Sequence, residues 1–297
     1  MSASTPPLHL RSSTGRARRR RLVGRGMELL ATLASVFAVA LLVIVIASVI
    51  KEGAPALSWD FFTKPPAPFG QTTGGIANSI VGTLLMTAMA TALALPGGVL
   101  IAIYNVEFAP PRVAETVRLV LNMLAGVPTI VIGIFIYGLL VVGSGQSAIA
   151  ASVALAILML PLIARATEEV LALVPPSLRE AGLALGSTRS RTVIRIILPT
   201  AIGGIITSAI VAIARAAGET APVLFTSSIV ANVVSTDVHG ALGSIPLSIY
   251  VNSESPSVHD QQQAWAAALV LLAFVLILSI TGRLLSLRTR RQIERMR

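Results

Sequence analysis

The sequence contains no cysteine and few charged residues, and both absences exclude classes of protein. Without cysteine, the 297-residue chain can form neither disulfides nor thiolate metal sites. Charged residues make up 12% of the chain, whereas ordinary soluble domains carry about 25%. Apolar residues make up 54%, and the mean hydropathy is +0.82. The composition therefore predicts an integral membrane protein.

Lysine and histidine are also scarce, and neither occurs in a phosphate-binding or metal-binding pattern. The two lysines, Lys51 and Lys64, do not lie in a phosphate-binding G-x-x-x-x-G-K-[ST] loop, so the chain is not itself expected to be an ATPase. His9, His239 and His259 lie outside the apolar runs and show no metal-ligand spacing. We therefore predict a non-catalytic chain that binds no cofactor or metal of its own.

The net charge of +10 comes from the two ends of the chain. Residues 1–26 hold seven arginines and no acid, and residues 283–297 hold six arginines against one glutamate. The residues between them carry a net charge of −2, so a basic nucleic-acid-binding surface is a poor interpretation. We predict a disordered arm over 1–26 that contacts anionic lipid, and a basic tail over 285–297.

Long windows without charge predict six membrane-spanning helices within an all-α domain over residues 27–284. The polar, glycine-containing segment 143–147 divides one overlong window into two spans. Single prolines fall inside three spans, which bundled helices tolerate because their neighbours satisfy the freed carbonyls. The predicted spans are residues 29–50, 78–103, 119–142, 148–164, 196–218 and 261–282.

The distribution of arginine predicts the orientation of these spans. Six spans place both termini on the same side of the membrane. If that side is cytoplasmic, the inner segments hold twenty lysines and arginines and the outer segments hold two. Because positive residues accumulate on the cytoplasmic side, we expect a multi-pass protein of the cytoplasmic (inner) membrane with both termini inside.

The predicted cytoplasmic loop over residues 165–195 is more elaborate than a connector needs to be. After two prolines, Ser177 and Glu180 have the spacing of a capping box, which predicts a helix that begins there. Gly186 is a predicted stop, and Ser187 or Thr188 is suited to cap a second helix. The sequence therefore predicts two short helices that project from the cytoplasmic surface.

The same loop resembles the EAA motif of ABC-importer permeases. That motif is E-A-A, three residues, G, nine residues and I-x-L-P, and this chain departs from it only at Gly182, which replaces the second alanine. The resemblance implies a coupling helix that docks on a separate ATPase, which would bind ATP and Mg²⁺. The candidate coupling residues are Ser177, Glu180, Ala181, Gly182 and Gly186.

Arg215 and Glu219 are opposite charges at the end of the predicted fifth span. Their spacing of four residues places them on one side of a helix. Charged side chains within a membrane usually face a bundle interior or an aqueous cavity. The pair is therefore either a structural ion pair or part of a pathway in which Arg215 meets an anion, with Thr220 as a further hydroxyl donor.

Four segments together resemble phosphate-importer permeases over about residues 61–284. The string from Ala214 to Pro222 is similar to their ARA-x-GETAP motif, and segments 74–83, 126–133 and 262–268 also match. The resemblance implies the type I ABC-importer permease fold. It also implies a heterodimer with a PstC-like permease, two copies of a PstB-like ATPase, and a PstS-like phosphate-binding protein on the outer surface.

Several alternatives remain open at this point. The anion transported could instead be sulfate, molybdate or phosphonate, and the chain could be the PstC-type sister subunit. A secondary anion transporter is a further alternative, although it would not need a coupling loop and usually contains inverted repeats, which this sequence does not show. An intramembrane enzyme is excluded because the predicted spans contain no histidine, aspartate or cysteine.

Overall fold

A computed structural model describes residues 14–66, 74–227 and 233–295. The chain divides into two compact units, residues 1–51 and 52–297. The described residues contain helices and no strand. The helices are α1 (Thr14–Gly53), α2 (Trp59–Thr63), α3 (Ala77–Ile103), α4 (Pro111–Gly126), α5 (Thr129–Ile136), α6 (Ala148–Ala172), α7 (Pro176–Ala184), α8 (Arg189–Thr192), α9 (Leu198–Ala217), α10 (Ala221–Thr226), α11 (Ile245–Ser253) and α12 (Val258–Arg295).

Helix α1 contains the predicted first span, but it begins earlier than expected, at Thr14. The prediction that residues 14–26 are disordered is therefore wrong. This arginine-rich segment has no proline, and it continues a helix that the apolar span nucleates. The apolar side chains of the span are largely exposed, as expected of a helix in contact with lipid. The first 13 residues of the predicted arm lie outside the described residues.

The predicted third span, residues 119–142, is not one straight helix. Helices α4 and α5 meet at a bend of 93°. Val127 there has an extended backbone (φ −68°, ψ 130°) and precedes Pro128, which lacks an N–H and disfavours helix in the residue before it. Five continuous helices among the described residues can cross a membrane by length and composition, and the bent pair makes a sixth if it counts as one span.

The predicted coupling loop, residues 165–195, is largely helical. Helix α6 was expected to end at residue 164, but it continues to Ala172. At the other end, α8 passes through a π-helical turn, Val193–Ile197, directly into α9. Because charged residues are good helix formers outside the membrane, the charges that defined the predicted loop do not end either helix. Only α7 and its two short connections remain as a separate projection.

Helices α3, α6 and α9 pack together at the centre of the second unit. Small residues make up much of their contact, including Ala90, Ala94, Ala151 and Ala212, all of which are buried. Small side chains allow helix backbones in a membrane to approach closely. This packing holds α6 and α9 side by side, which brings together residues that are about 50 positions apart in the sequence.

The segments that follow α9 and precede α12 fold back onto these helices. Helix α10 packs against α5 and α6, and α11 packs against α3 and α12. The Ser79 hydroxyl lies 2.6 Å from that of Ser248, and the Ile245 N–H donates to the Thr83 hydroxyl at 2.9 Å. Helix α12 then continues beyond the predicted sixth span to Arg295.

Gly82 on α3 provides a test of this packing. A Cβ atom at this position would lie 2.0 Å from the Gly243 carbonyl oxygen, so Gly82→Ala forces backbone atoms apart. Gly97→Ala on the same helix is a matched control, because its Cβ would meet only Leu160 Cδ1, at 3.6 Å.

We expect Gly82→Ala to lower the free energy of unfolding by about 1–3 kcal/mol, the usual cost of overpacking. Gly97→Ala should be neutral or stabilising, since alanine is the better helix former by about 0.5–1 kcal/mol. The midpoint of thermal unfolding in detergent measures both changes. Equal midpoints for the two variants would contradict the close approach of Gly82 to Gly243.

Candidate functional site

A cavity of about 260 Å³ lies where the α4–α5 bend, α6 and α9 meet. Most of its wall is apolar, and three charged side chains reach it from α6, from the end of α9 and from the residues directly after α9. The lining residues are Asn122, Leu124, Ala125, Val127, Thr129, Leu158, Met159, Pro161, Leu162, Arg165, Ala212, Arg215, Ala216 and Glu219. The cavity thus combines a small number of polar groups with a low-dielectric surround, as ligand sites commonly do.

Arg215 and Glu219 both line this cavity, so the structure places the predicted pair together. Arg215 Nε lies 3.7 Å from Glu219 Oε1, an ion-pair distance that is too long for a good hydrogen bond. Among the described residues, the Arg215 guanidinium makes no hydrogen bond. Its side chain is 65% exposed, against 18% for Glu219, so the Arg215 donors are available to a ligand.

Arg165 is a second arginine in the same cavity, and the sequence pattern did not predict it as a site residue. It is half-buried on α6, and no carboxylate of the described residues lies within ion-pair distance of it. It was grouped with the cytoplasmic loop because α6 was predicted to end before it. Its helical spacing from Leu158 and Pro161 is the signal that links it to the cavity wall.

Thr220 does not line the cavity. It is the residue before α10, and its carbonyl oxygen accepts a hydrogen bond from Leu224 N at 3.0 Å. Its side chain does not cap that helix. The expected hydroxyl donor is therefore not part of the cavity, whose charged lining groups are two arginines and one glutamate, a net charge of +1.

The candidate coupling residues are grouped around α7. Ser177 does not cap this helix as predicted: the N-cap is Pro175, and no side chain makes a capping hydrogen bond. Pro176 takes the first helical position, where its fixed φ suits the helix, so Ser177 already lies inside the first turn. The side chains of Ser177, Glu180 and Ala181 are exposed.

The two glycines of the motif have different structural roles. Gly182 is buried, and a Cβ atom there would lie 2.6 Å from Thr192 Cγ2, so the departure from alanine fits a close contact with α8. Gly186 has φ +76° just after α7, and its N–H donates to Leu183 O at 2.9 Å. The Thr188 hydroxyl then accepts from Arg191 N and caps α8, one of the two predicted alternatives.

Large apolar side chains are exposed around α7. Leu173, Leu183 and Leu185 are 79%, 52% and 87% exposed, respectively. Large exposed apolar side chains beside polar residues are compatible with a protein-binding surface. The sequence motif did not single out these leucines.

Two solved structures share this fold at low sequence identity. The bacterial ABC transporter involved in the import of the acidic polysaccharide alginate gives a TM-score of 0.59 at 14% identity, over 91% of this chain and 99% of that chain. The inward-facing MetNI methionine ABC transporter gives 0.54 at 20% identity, over 72% of this chain and 94% of that one. These likenesses assign the type I ABC-importer permease fold.

Comparison with known sequences identifies the family more specifically than the shared fold does. Residues 94–291 match the family described as "Binding-protein-dependent transport system inner membrane component". The probable phosphate transport system permease protein PstA of Methanocaldococcus jannaschii is 38% identical over 80% of this chain and 85% of its own length. PstA of Yersinia pestis is 37% identical over 82% and 83%. The chain therefore belongs to the binding-protein-dependent transport system inner membrane components and, among them, to the PstA permeases.

Proposed function

We propose that this chain is the PstA-like permease subunit of an ABC importer that carries inorganic phosphate across the cytoplasmic membrane. It pairs with a PstC-like permease and receives phosphate from a PstS-like binding protein on the outer surface. Two PstB-like subunits bind ATP and Mg²⁺ and supply the energy, so this chain needs no catalytic residue or cofactor. The names of its relatives support the phosphate assignment, and the arginine distribution supports cytoplasmic termini.

The observation that carries this proposal is the net positive cavity. Arg165 and Arg215 offer guanidinium donors to one small space, and only Glu219 balances them. Guanidinium groups bind phosphate oxygens through paired, charge-assisted hydrogen bonds. An anion that enters the cavity would therefore replace water around donors that the protein leaves unused.

Glu219 supplies a physical reason to favour phosphate over sulfate. Phosphate retains at least one proton near neutral pH and can donate a hydrogen bond to a carboxylate, whereas sulfate cannot. A carboxylate beside the two arginines therefore accepts from phosphate but repels sulfate, which is discrimination by an unfavourable contact. Molybdate and phosphonate remain alternatives for the transported anion, and the PstC-type sister subunit is disfavoured by the names of the relatives above.

Removal of either cavity arginine should block transport. We expect Arg215→Gln and Arg165→Gln each to reduce phosphate uptake about ten- to a hundredfold, because each loses charge-assisted hydrogen bonds worth about 1.5–3 kcal/mol. Uptake of labelled phosphate is measured in cells that lack their own phosphate importers. Co-purification with the ATPase subunit checks that each variant assembles.

Arg112→Gln is the matched control, since Arg112 is exposed at the start of α4 and does not line the cavity. We expect it to retain wild-type uptake. Normal uptake by both cavity variants would show that the charges of Arg165 and Arg215 have only a structural role. ATP-independent uptake by the wild type would instead favour a secondary transporter.

Glu219→Gln tests the discrimination between anions. The purified importer, without its binding protein, is equilibrated with labelled phosphate or labelled sulfate. We expect the substitution to raise sulfate binding relative to phosphate by about tenfold, the effect of one charge-assisted contact of about 1.4 kcal/mol. An unchanged ratio would exclude Glu219 as the source of discrimination.

Gly186→Pro tests the role of α7. Proline requires φ near −65°, and it also removes the N–H that bonds to Leu183, so the end of α7 cannot keep its geometry. We expect less phosphate to be imported per ATP hydrolysed in reconstituted vesicles. Gly186→Asn is the control, because asparagine tolerates positive φ and keeps the N–H. Equal ratios for the two variants would count against α7 as the docking helix.

A further inference from the structure

The π-helical turn at the end of α3, residues Tyr104–Phe108, contacts three different helices. Asn105 Nδ2 donates to Glu168 Oε1 of α6 at 2.5 Å. Glu107 pairs with Arg179 of α7, and the Phe108 ring lies 5.5 Å from the guanidinium carbon of Arg189 on α8. Single π-helical turns are rare and are often found at functional sites. This one joins α3 to both short helices of the coupling loop.

Arg179 makes the most extensive of these contacts. Its Nε and Nη2 atoms both donate to Glu107 Oε1, at 3.0 and 2.8 Å. Its Nη1 donates to the carbonyl oxygen of Val174 at 2.7 Å, and Nη2 also donates to that of Leu171 at 2.9 Å. The guanidinium therefore holds α7 to the end of α3 and to the last turn of α6 at the same time.

The contact between Arg179 and Glu107 is largely shielded from water. The Glu107 side chain is 3% exposed and that of Arg179 is 25% exposed, so water competes little for their hydrogen bonds. A buried ion pair contributes little net stability, since desolvation offsets the attraction, but its planar donor geometry fixes orientation. The contact is thus better suited to transmitting a movement of α7 than to stabilising the bundle.

We propose that Arg179, held by Glu107, is the positioning residue through which movement of α7 reaches α3 and α6. This inference rests on the proposed docking of α7 on the ATPase. Helix α6 carries Arg165 six residues before Leu171, which corresponds to about 9 Å along a helix. A shift of α7 therefore reaches the wall of the cavity through one short, continuous helical segment.

Arg118 provides a matched control within the same chain. Its Nε donates to Glu168 Oε2 at 3.2 Å and joins α4 to α6, without a hydrogen bond to α7 or α8 among the described residues. Glu168 is also buried, with 7% of its side chain exposed. Removal of either arginine thus deprives a buried carboxylate of an arginine partner, but only the loss of Arg179 removes the hydrogen bonds that join α7 to α3 and α6.

The experiment compares Arg179→Ala with Arg118→Ala in the complete importer, reconstituted in vesicles with its ATPase and binding protein. The measured quantity is phosphate imported per ATP hydrolysed. A Leu185→Cys substitution, in a chain with no other cysteine, allows α7 to be cross-linked to the ATPase in each variant. The cross-link reports whether docking survives.

We expect Arg179→Ala to keep ATP hydrolysis and the cross-link, while the ratio falls about tenfold, within the roughly 5- to 150-fold range of typical couplings between sites. Arg118→Ala should keep the wild-type ratio, even if less complex is recovered. Arg179→Lys, which keeps the charge but has a single donor nitrogen, should give an intermediate ratio, and it replaces Arg179→Ala if that variant does not assemble.

A wild-type ratio in the Arg179 variants, or an equal fall in Arg118→Ala, would overturn the inference. Failure of the proposed function gives a different result, because the wild-type importer itself would then import no phosphate or show no cross-link. Loss of the cross-link in the Arg179 variants alone would also overturn it, since Arg179 would then be needed for docking rather than for transmission.

Discussion

The burial of ionised side chains in a low-dielectric helix bundle is the constraint on which the rest of this structure depends. Among the described residues, Glu107 and Glu168 are buried, and each pairs with an arginine from another helix. Glu219, just after the end of α9, pairs with Arg215 four residues earlier. Arg165 has no such partner within the part of the chain that the structure describes, and it lies in the same cavity as that pair. The positive charge of the cavity is therefore an excess that remains after the two buried carboxylates, Glu107 and Glu168, and the cavity carboxylate Glu219 are paired.

The bend between α4 and α5 is what makes room for this excess charge. A straight third span would pack along α6 and fill the space beside it with apolar side chains. The 93° bend instead brings the end of α4 and the start of α5, with Asn122 and Thr129, to the cavity wall. Small residues on α6 and α9 then let the two arginine-bearing helices approach each other. Cavity and charge thus arise from different parts of the sequence.

The sequence predicted the features that depend on local patterns, and the features that depend on packing were missed. The second span, the Arg215–Glu219 pair and the glycine stop at Gly186 each follow from residues close together in the chain. The bend at Pro128 was not predicted, because membrane helices can retain a proline when neighbouring groups satisfy the freed carbonyls. Arg165 was missed because a charge near a predicted span end is equally compatible with a loop, and only the packing of α6 against α9 decides between them.

Helix α6 links the cavity to the coupling loop, and the proline within this helix affects how movement passes along it. Pro161 lies one turn before Arg165 and removes a backbone hydrogen bond from the middle of the helix. The segment from Arg165 to Ala172 is therefore connected to the rest of α6 by a weaker backbone ladder, while Asn105 and Arg179 hold it on the other side. Because this segment is joined more weakly to the rest of α6 than to the residues that bind it, it moves with those residues. We infer that movement of the coupling loop displaces Arg165 relative to Arg215 on α9, and so changes the anion site without unfolding either helix.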